Sequence, residues 1–202
     1  MLKLQQFKQL DIRYRRRLFE LCGSDIYSRP AANSMDSQLE KYLPNRGFFI
    51  EAGAYDGFNH SNTYYLERLK GWRGILIEPI PELYRECVRE RPHSICLNYA
   101  LVSDDYLEAT IEMNFMDAMT IVAGARRDDT EELEILCKKY KIDSYQVYVP
   151  TRTLTSILDE KNVKKIDLLS LDVESYELNV LKGLDFDKYR PKYVDRVYQG
   201  AI

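Results

Sequence analysis

Three groups of residues in this chain could do chemistry, and each falls at the end of a short apolar run. The first is Glu51-Ala52-Gly53-Ala54-Tyr55-Asp56-Gly57, which follows Phe48-Phe49-Ile50. Glycine lets a backbone turn sharply and approach a ligand closely. The spacing is Gly-x-x-x-Gly after an acid. It is not the Gly-x-Gly-x-x-Gly fingerprint that aims a helix N-terminus at a pyrophosphate. A carboxylate such as Glu51 beside the turn suits a ligand with a cationic end. The second group is Glu78-Pro79, closing the run Gly74-Ile75-Leu76-Ile77. An acid at such a strand end can accept hydrogen bonds from both hydroxyls of a ribose. The third is Asp172-Val173-Glu174-Ser175-Tyr176-Glu177, after Ile166 to Leu171. Asp172 or Glu174 could orient a substrate, take a proton from a hydroxyl within hydrogen-bond reach, or help hold a metal. Glu177 reads as an acid in the first turn of a helix. His60 follows the glycine turn and is a further candidate base, because imidazole titrates near neutrality. His93 is expected to face solvent.

Composition removes several alternatives. The chain has 202 residues and a formal charge of −3, so no basic surface points to nucleic acid. No apolar run approaches the ~20 residues that span a bilayer. The N-terminus lacks the apolar stretch and cleavage site of a signal peptide. The four cysteines, Cys22, Cys87, Cys96 and Cys137, form no Cys-x-x-Cys pair. Two histidines and no ligand spacing give no metal site. These features lead us to expect reduced thiols and a cytoplasmic protein.

The elements that must position these groups alternate in type. Apolar runs end at Ala52, Glu78, Leu97 and Val173, and each but the third precedes a helical pattern: 62–70, 81–91 and 176–182. That order predicts an α/β fold with a mostly parallel sheet buried on both faces. A further strand is expected over 191–197. Residues 104–150 break the rhythm as an insertion, with a strand over 107–115 and a helix over 128–140, and could form part of a substrate pocket. Residues 1–45 form an N-terminal helical segment ahead of the main domain, 46–202. Within it, Leu4, Phe7, Leu10, Tyr14, Leu18 and Leu21 recur at helical spacing. The expectation is that this stripe docks on the domain and the basic face, with Lys3, Lys8, Arg13, Arg15, Arg16 and Arg17, meets solvent; a membrane-surface or acidic-partner patch is the alternative.

Taken together, these segments resemble the FkbM family of methyltransferases. Gly47 to Gly57 with Ser61-Asn62-Thr63-Tyr64-Tyr65-Leu66-Glu67 resembles its cofactor loop and following helix. Gly71-Trp72-Arg73-Gly74-Ile75-Leu76-Ile77-Glu78-Pro79 resembles its second strand. Ile166 to Glu174, through Tyr176-Glu177 to Val180-Leu181-Lys182-Gly183, resembles its late motif. The resemblance implies a Rossmann-like methyltransferase fold, S-adenosyl-L-methionine as cofactor, and methyl transfer, usually to oxygen, on a sugar or small-metabolite acceptor. By position it implies that Glu51, Gly53, Ala54, Tyr55, Gly57 and Asn62 shape the cofactor pocket and that Glu78 and Pro79 border the ribose. Asn98-Tyr99-Ala100-Leu101 would end the third strand beside the adenine, and Asp172 and Glu174 would border the reacting centre. Two departures stand out. Ser175 occupies a position where the family usually has glycine, and the sheet is expected to be shortened at the C-terminus. An exposed sheet edge, or the N-terminal helix, could then pair two copies. A non-catalytic or truncated nucleoside-binding module of the same fold is the alternative. A nicotinamide-dependent oxidoreductase is disfavoured by the missing dinucleotide fingerprint.

Overall fold

The computed structural model describes residues 2–116, 120–122 and 144–196. Five strands form one fully parallel sheet: β1 (Phe48–Ala52), β2 (Arg73–Ile77), β3 (Ile95–Leu97), β8 (Leu168–Leu171) and β9 (Tyr193–Arg196). Their spatial order is β3-β2-β1-β8-β9. Alternate residues of each strand feed two cores. Ile50, Ala52, Ile75, Ile77, Leu169 and Leu171 pack with Leu154, Ile157 and Val180 of helices α5 (Leu154–Glu160) and α6 (Glu177–Lys182). Phe49, Leu76 and Leu168 pack the other way, with Tyr65, Leu66 and Cys87 of α3 (Tyr64–Leu69) and α4 (Pro81–Glu90). Burial on both faces is why these strands read as continuous apolar runs.

A second sheet stands beside the first, in the order β4 (Ala100–Leu101), β7 (Tyr145–Arg152), β5 (Thr110–Phe115), β6 (Ile121–Val122). β5 pairs antiparallel with β6 and β7, and β4 runs parallel to β7. The expected strand over 107–115 begins at Thr110. Thr151 lies at the end of an eight-residue strand, and the helix that follows begins at Leu154. Most of β7 is half-buried or exposed, so it carries no apolar run to signal it. The expected helix over 128–140 lies outside the described residues.

The N-terminal helix α1 (Leu2–Leu21) overturns the expected orientation. Arg16 is 3 % exposed and Glu20 8 %, whereas Tyr14 is 68 %, Leu18 62 % and Leu21 83 % exposed. The ionic face docks, and Tyr14, Leu18 and Leu21 of the stripe point away. The reason lies in the partners each face finds. Arg16 pairs with buried Glu90 and lays its guanidinium 3.5 Å from the Phe58 ring centre. Arg17 donates to Glu90 at 3.0 Å. Glu20 accepts from the Tyr64 hydroxyl at 2.7 Å, from Ser28 at 2.8 Å and from Arg68 at 2.9 Å. Charge-assisted bonds of this kind are about twice as strong as neutral ones. They offset the desolvation that would otherwise keep such groups in water. A short 3₁₀ turn (Ala32–Ser34) and α2 (Met35–Glu40) then lead to β1.

Candidate functional site

The chain leaves β1 toward β2 on one side, while β8 lies on the other. The strand order therefore reverses beside β1, and ligands of open α/β sheets bind outside the strand ends at such a point. Three sequence-predicted groups converge there. Gly53 follows β1 with φ +79°, and a Cβ built on it would sit 1.9 Å from the Asp172 carbonyl oxygen. The ends of β1 and β8 thus approach through bare backbone. Gly53 and Ala54 also donate to the Ile77 carbonyl at 3.0 and 3.2 Å, which ties the turn to the end of β2.

Glu78 is buried just beyond β2. One of its oxygens accepts from the Tyr55 amide at 2.8 Å and the other from the Ile80 amide at 2.9 Å. Burial nevertheless pushes its carboxyl up to about 8, against the pull of those two amides. Near neutrality it therefore holds its proton, and the carboxyl can both accept from and donate to ligand hydroxyls. Pro79 is fixed alongside, because the Asn98 side chain donates to the carbonyls of Glu78 and Pro79 at 2.8 and 2.7 Å. Asn98 was not singled out for this role. Its position directly after β3 is the signal that could have found it.

Glu51 lies on the α3–α4 face of the sheet, in register with Ser170 of β8, which is in register with Asp195 of β9. The three form a polar row across the buried middle of a sheet whose neighbouring positions are largely apolar. Glu51 accepts from Ser61 Oγ, the Asn62 amide and Thr63 Oγ1 at 3.0, 2.9 and 2.6 Å. Asn62 Nδ2 reaches Ser170 Oγ at 3.0 Å and Asp195 at 2.9 Å. Arg91, fully buried, pairs with Glu67 at 2.9 Å and Glu51 at 3.4 Å, and donates to the Gly57 carbonyl at 3.2 Å. The glycine loop is therefore fastened from beneath by a buried ionic web. Gly57 itself has φ +82° and packs on Cys87. Cys87 and Cys96, distant in sequence spacing, stand with their sulfurs 3.5 Å apart. Sequence reading missed Arg91, which looked like an ordinary helix end before Pro92. Asp195, an acid inside the expected strand over 191–197, is explained by the polar row.

Asp172 sits at the end of β8, its amide donating to Ala52 at 3.0 Å. Burial, then the charges of Glu51 and Glu177, push its carboxyl up to about 6, while His60 pulls the other way. His60 is exposed, has φ +63°, and forms an isolated bridge with Ala31. Its ring stands edge-on to Tyr55 at 6.5 Å. Glu174 is buried with φ +49°, and Ser175 follows at φ +72°. Left-handed backbone at Ser175 is the physical reason a glycine suits this position. Glu177 accepts the Ser175 amide at 3.2 Å. Ala100 and Leu101 do not end the third strand. They form β4 of the second sheet, because Ala100 and Leu101 pair with Thr151 and Arg152 of β7. Among the described residues no group of three or more His, Cys, Asp or Glu side chains is placed to hold a metal.

Parallel strands in this order, with glycine and acids gathered at their carboxyl ends, define a Rossmann-like methyltransferase fold. The methyltransferase FkbM domain matches residues 51–199, and the chain belongs to the FkbM methyltransferase family. It is similar to Methyltransferase 1 of Beauveria bassiana, 26 % identical over 187 residues, covering 79 % of this chain and 72 % of that protein. A solved TehB-like SAM-dependent methyltransferase from Corynebacterium glutamicum aligns at TM-score 0.31 and 17 % identity over 52 % of this chain. The chain spans about half the length of that structure, 51 %.

Proposed function

We propose that this protein uses S-adenosyl-L-methionine to methylate a hydroxyl oxygen of a sugar or small metabolite, in the cytoplasm. The observation that carries this reading is the convergence of Gly53, Glu78 and Asp172 at the strand-order reversal. These residues fit the cofactor. Gly53 offers backbone without a side chain, Glu78 offers a buried acceptor for a ribose, and the acids around Asp172 suit a cation. When bound, the cofactor supplies a methyl group made electrophilic by its positively charged sulfur. The chain's own contribution is alignment and charge, which can be worth several powers of ten. Asp172, with a carboxyl near 6, is mostly ionised at neutral pH and is suited to hold or take the proton of an acceptor hydroxyl. Glu174 and His60 border the same crevice as positioning groups.

The test is calorimetric titration of S-adenosylhomocysteine against wild type and Glu78→Gln, with NADH as control. Saturable binding that weakens about tenfold or more in the variant, with no NADH binding, supports the cofactor assignment. Transfer of labelled methyl to a panel of glycosides and phenols then tests the oxygen acceptor. Binding without transfer to any member would favour a non-catalytic nucleoside-binding module. No binding by folded protein would refute the reading.

A further inference from the structure

Outside the crevice, the fold brings two thiols together. Cys87 lies on α4 and is fully buried. Cys96 lies on β3, the edge strand of the parallel sheet, and is half-buried. Both belong to the core between α4 and the sheet, and their sulfurs stand 3.5 Å apart. Closing that gap to the ~2.05 Å of a disulfide moves each sulfur by about 0.7 Å, which side-chain rotation can supply. Both are free thiols. Methyl transfer uses neither sulfur.

The two sulfurs differ in chemistry. The hydrogen bond from Cys87 holds the Cys96 thiol below the ordinary cysteine range. Burial works against it, and the positive charge of Arg91 lowers it further, opposed by Glu67 and Glu51. The same hydrogen bond, then burial, push the Cys87 thiol up. Cys87 is thus the proton donor of the pair, and Cys96 is the sulfur that ionises. Arg91 stands one turn beyond Cys87, its amide donating to the Cys87 carbonyl at 2.9 Å. Thiolates rather than thiols attack oxidants, and reactive cysteines are partly exposed in electropositive surroundings. Cys96 meets that description and Cys87 does not. A partly exposed, ionisable sulfur next to a second thiol is the arrangement in which one sulfur meets the oxidant and the other resolves the product.

We infer that Cys87 and Cys96 form a peroxide-reactive dithiol that closes to a disulfide between α4 and β3. In the first step the Cys96 thiolate attacks one oxygen of hydrogen peroxide. The O–O bond breaks, hydroxide leaves, and Cys96 becomes a sulfenic acid. In the second step the Cys87 sulfur attacks the Cys96 sulfur. The S–S bond forms, the S–O bond breaks, and the departing hydroxide takes the Cys87 proton and leaves as water. The first hydroxide takes up the proton that Cys96 had released. The two sulfurs together lose two electrons, and the peroxide is reduced to two waters. The new bond would lie under the crevice. A Cβ on Gly57 would meet the Cys87 sulfur at 3.2 Å, and the carbonyl of Leu97, next to Cys96, accepts the Glu78 amide at 3.0 Å. This inference does not depend on the cofactor assignment.

The experiment treats the folded full chain with hydrogen peroxide, blocks the remaining thiols with iodoacetamide, and maps linked peptides by mass spectrometry without reductant. Wild type is mapped beside Cys22→Ser/Cys137→Ser, which keeps this pair as its only thiols. The expected product links Cys87 to Cys96 within one chain, and dithiothreitol restores both thiols. Single substitutions in the same background then assign the roles. Cys87→Ser keeps a hydroxyl donor for Cys96 and should stop at a sulfenic acid that dimedone traps. Cys96→Ser should leave Cys87 at least about tenfold slower to react than Cys96 in the other variant. Circular dichroism melts check that each variant folds, and the wild-type map stands whether or not they do. Three results would each overturn the inference. One is no Cys87–Cys96 linkage in folded wild type. Another is linkage of these cysteines between two chains instead of within one. The third is equal reactivity of the two sulfurs in the folded single variants.

Discussion

Gly53→Ala separates two costs that are usually confounded. Gly53 and Gly23 both hold left-handed backbone, at φ +79° and +74°. An alanine pays about 1–2 kcal/mol for that conformation at either position. Their surroundings differ. Nothing lies within 4 Å of a Cβ at Gly23, whereas at Gly53 the Asp172 carbonyl oxygen is 1.9 Å away. Ordinary contact begins near 3.4 Å. The ends of β1 and β8 must therefore part by about 1.5 Å, a shift of the kind that overpacking forces at about 1–3 kcal/mol. That movement strains the 3.0 Å bonds from the Asp172 amide to Ala52 and from the Gly53 amide to Ile77. The predicted loss is about 2–5 kcal/mol for Gly53→Ala and about 1–2 for Gly23→Ala. Urea unfolding monitored by circular dichroism reads the difference directly, provided the m-values match. S-adenosylhomocysteine binding should also fall in Gly53→Ala and stay unchanged in Gly23→Ala. Equal destabilisation of the two variants, within about 0.5 kcal/mol, would refute the close approach of the two strands.

Three further predictions concern charge and backbone. Burial raises the Glu78 carboxyl to about 8, so the folded state disfavours its ionised form. The folded protein then binds a proton that the unfolded chain has released, and wild type should lose stability as pH rises from about 4.5 through 8. Relative to Glu78→Gln this loss is bounded at about 5 kcal/mol, and melting temperatures that track each other across that range would count against it. Asp172, raised to about 6, should give methyl transfer an acidic limb that falls away below that pH. Asp172→Asn should flatten the limb and cut the rate at pH 7.5 by about 10² or more, as a pH–rate profile would show. Ser175→Gly should stabilise the protein by about 0.5–1 kcal/mol in urea unfolding, because φ +72° strains serine and not glycine.

The parallel sheet was legible because its strands are buried on both faces. Runs such as Gly74 to Ile77 leave no other reading when they alternate with helical segments. The candidate site was legible for the same reason: Gly53, Glu78 and Asp172 each end such a run, and the topology gathers strand ends. The second sheet was not legible. β7 is mostly half-buried or exposed and contains Pro150, and β4 and β6 are two residues each. Their pairing is a tertiary fact with little local signal. Hydrophobic periodicity located α1 correctly and then misdirected its orientation. The stripe is real, but periodicity reports that two faces differ and does not report which one the domain takes. The outcome was set by Glu90, some 74 positions from Arg16 in the chain.

That long-range pair has a consequence for how the site is built. Glu90 ends α4 and is served by Arg16, Arg17 and the Tyr64 hydroxyl. Next to it, Arg91 grips Glu67, Glu51 and the Gly57 carbonyl. Phe58, directly after Gly57, carries the Arg16 guanidinium 3.5 Å from its ring centre and meets the Tyr64 ring edge-on at 4.8 Å. The loop that closes over the strand ends is thus held on one side by the domain's own arginine and on the other by one from α1. Buried charges left without partners cost several kcal/mol, so Arg91 cannot withdraw without stranding Glu67 and Glu51, whereas Glu90 has Arg13 and Arg17 as well as Arg16. The web holds both elements at once. It fixes the loop after β1 relative to α3 and α4, and it commits α1 to present Tyr14, Leu18 and Leu21 to the outside.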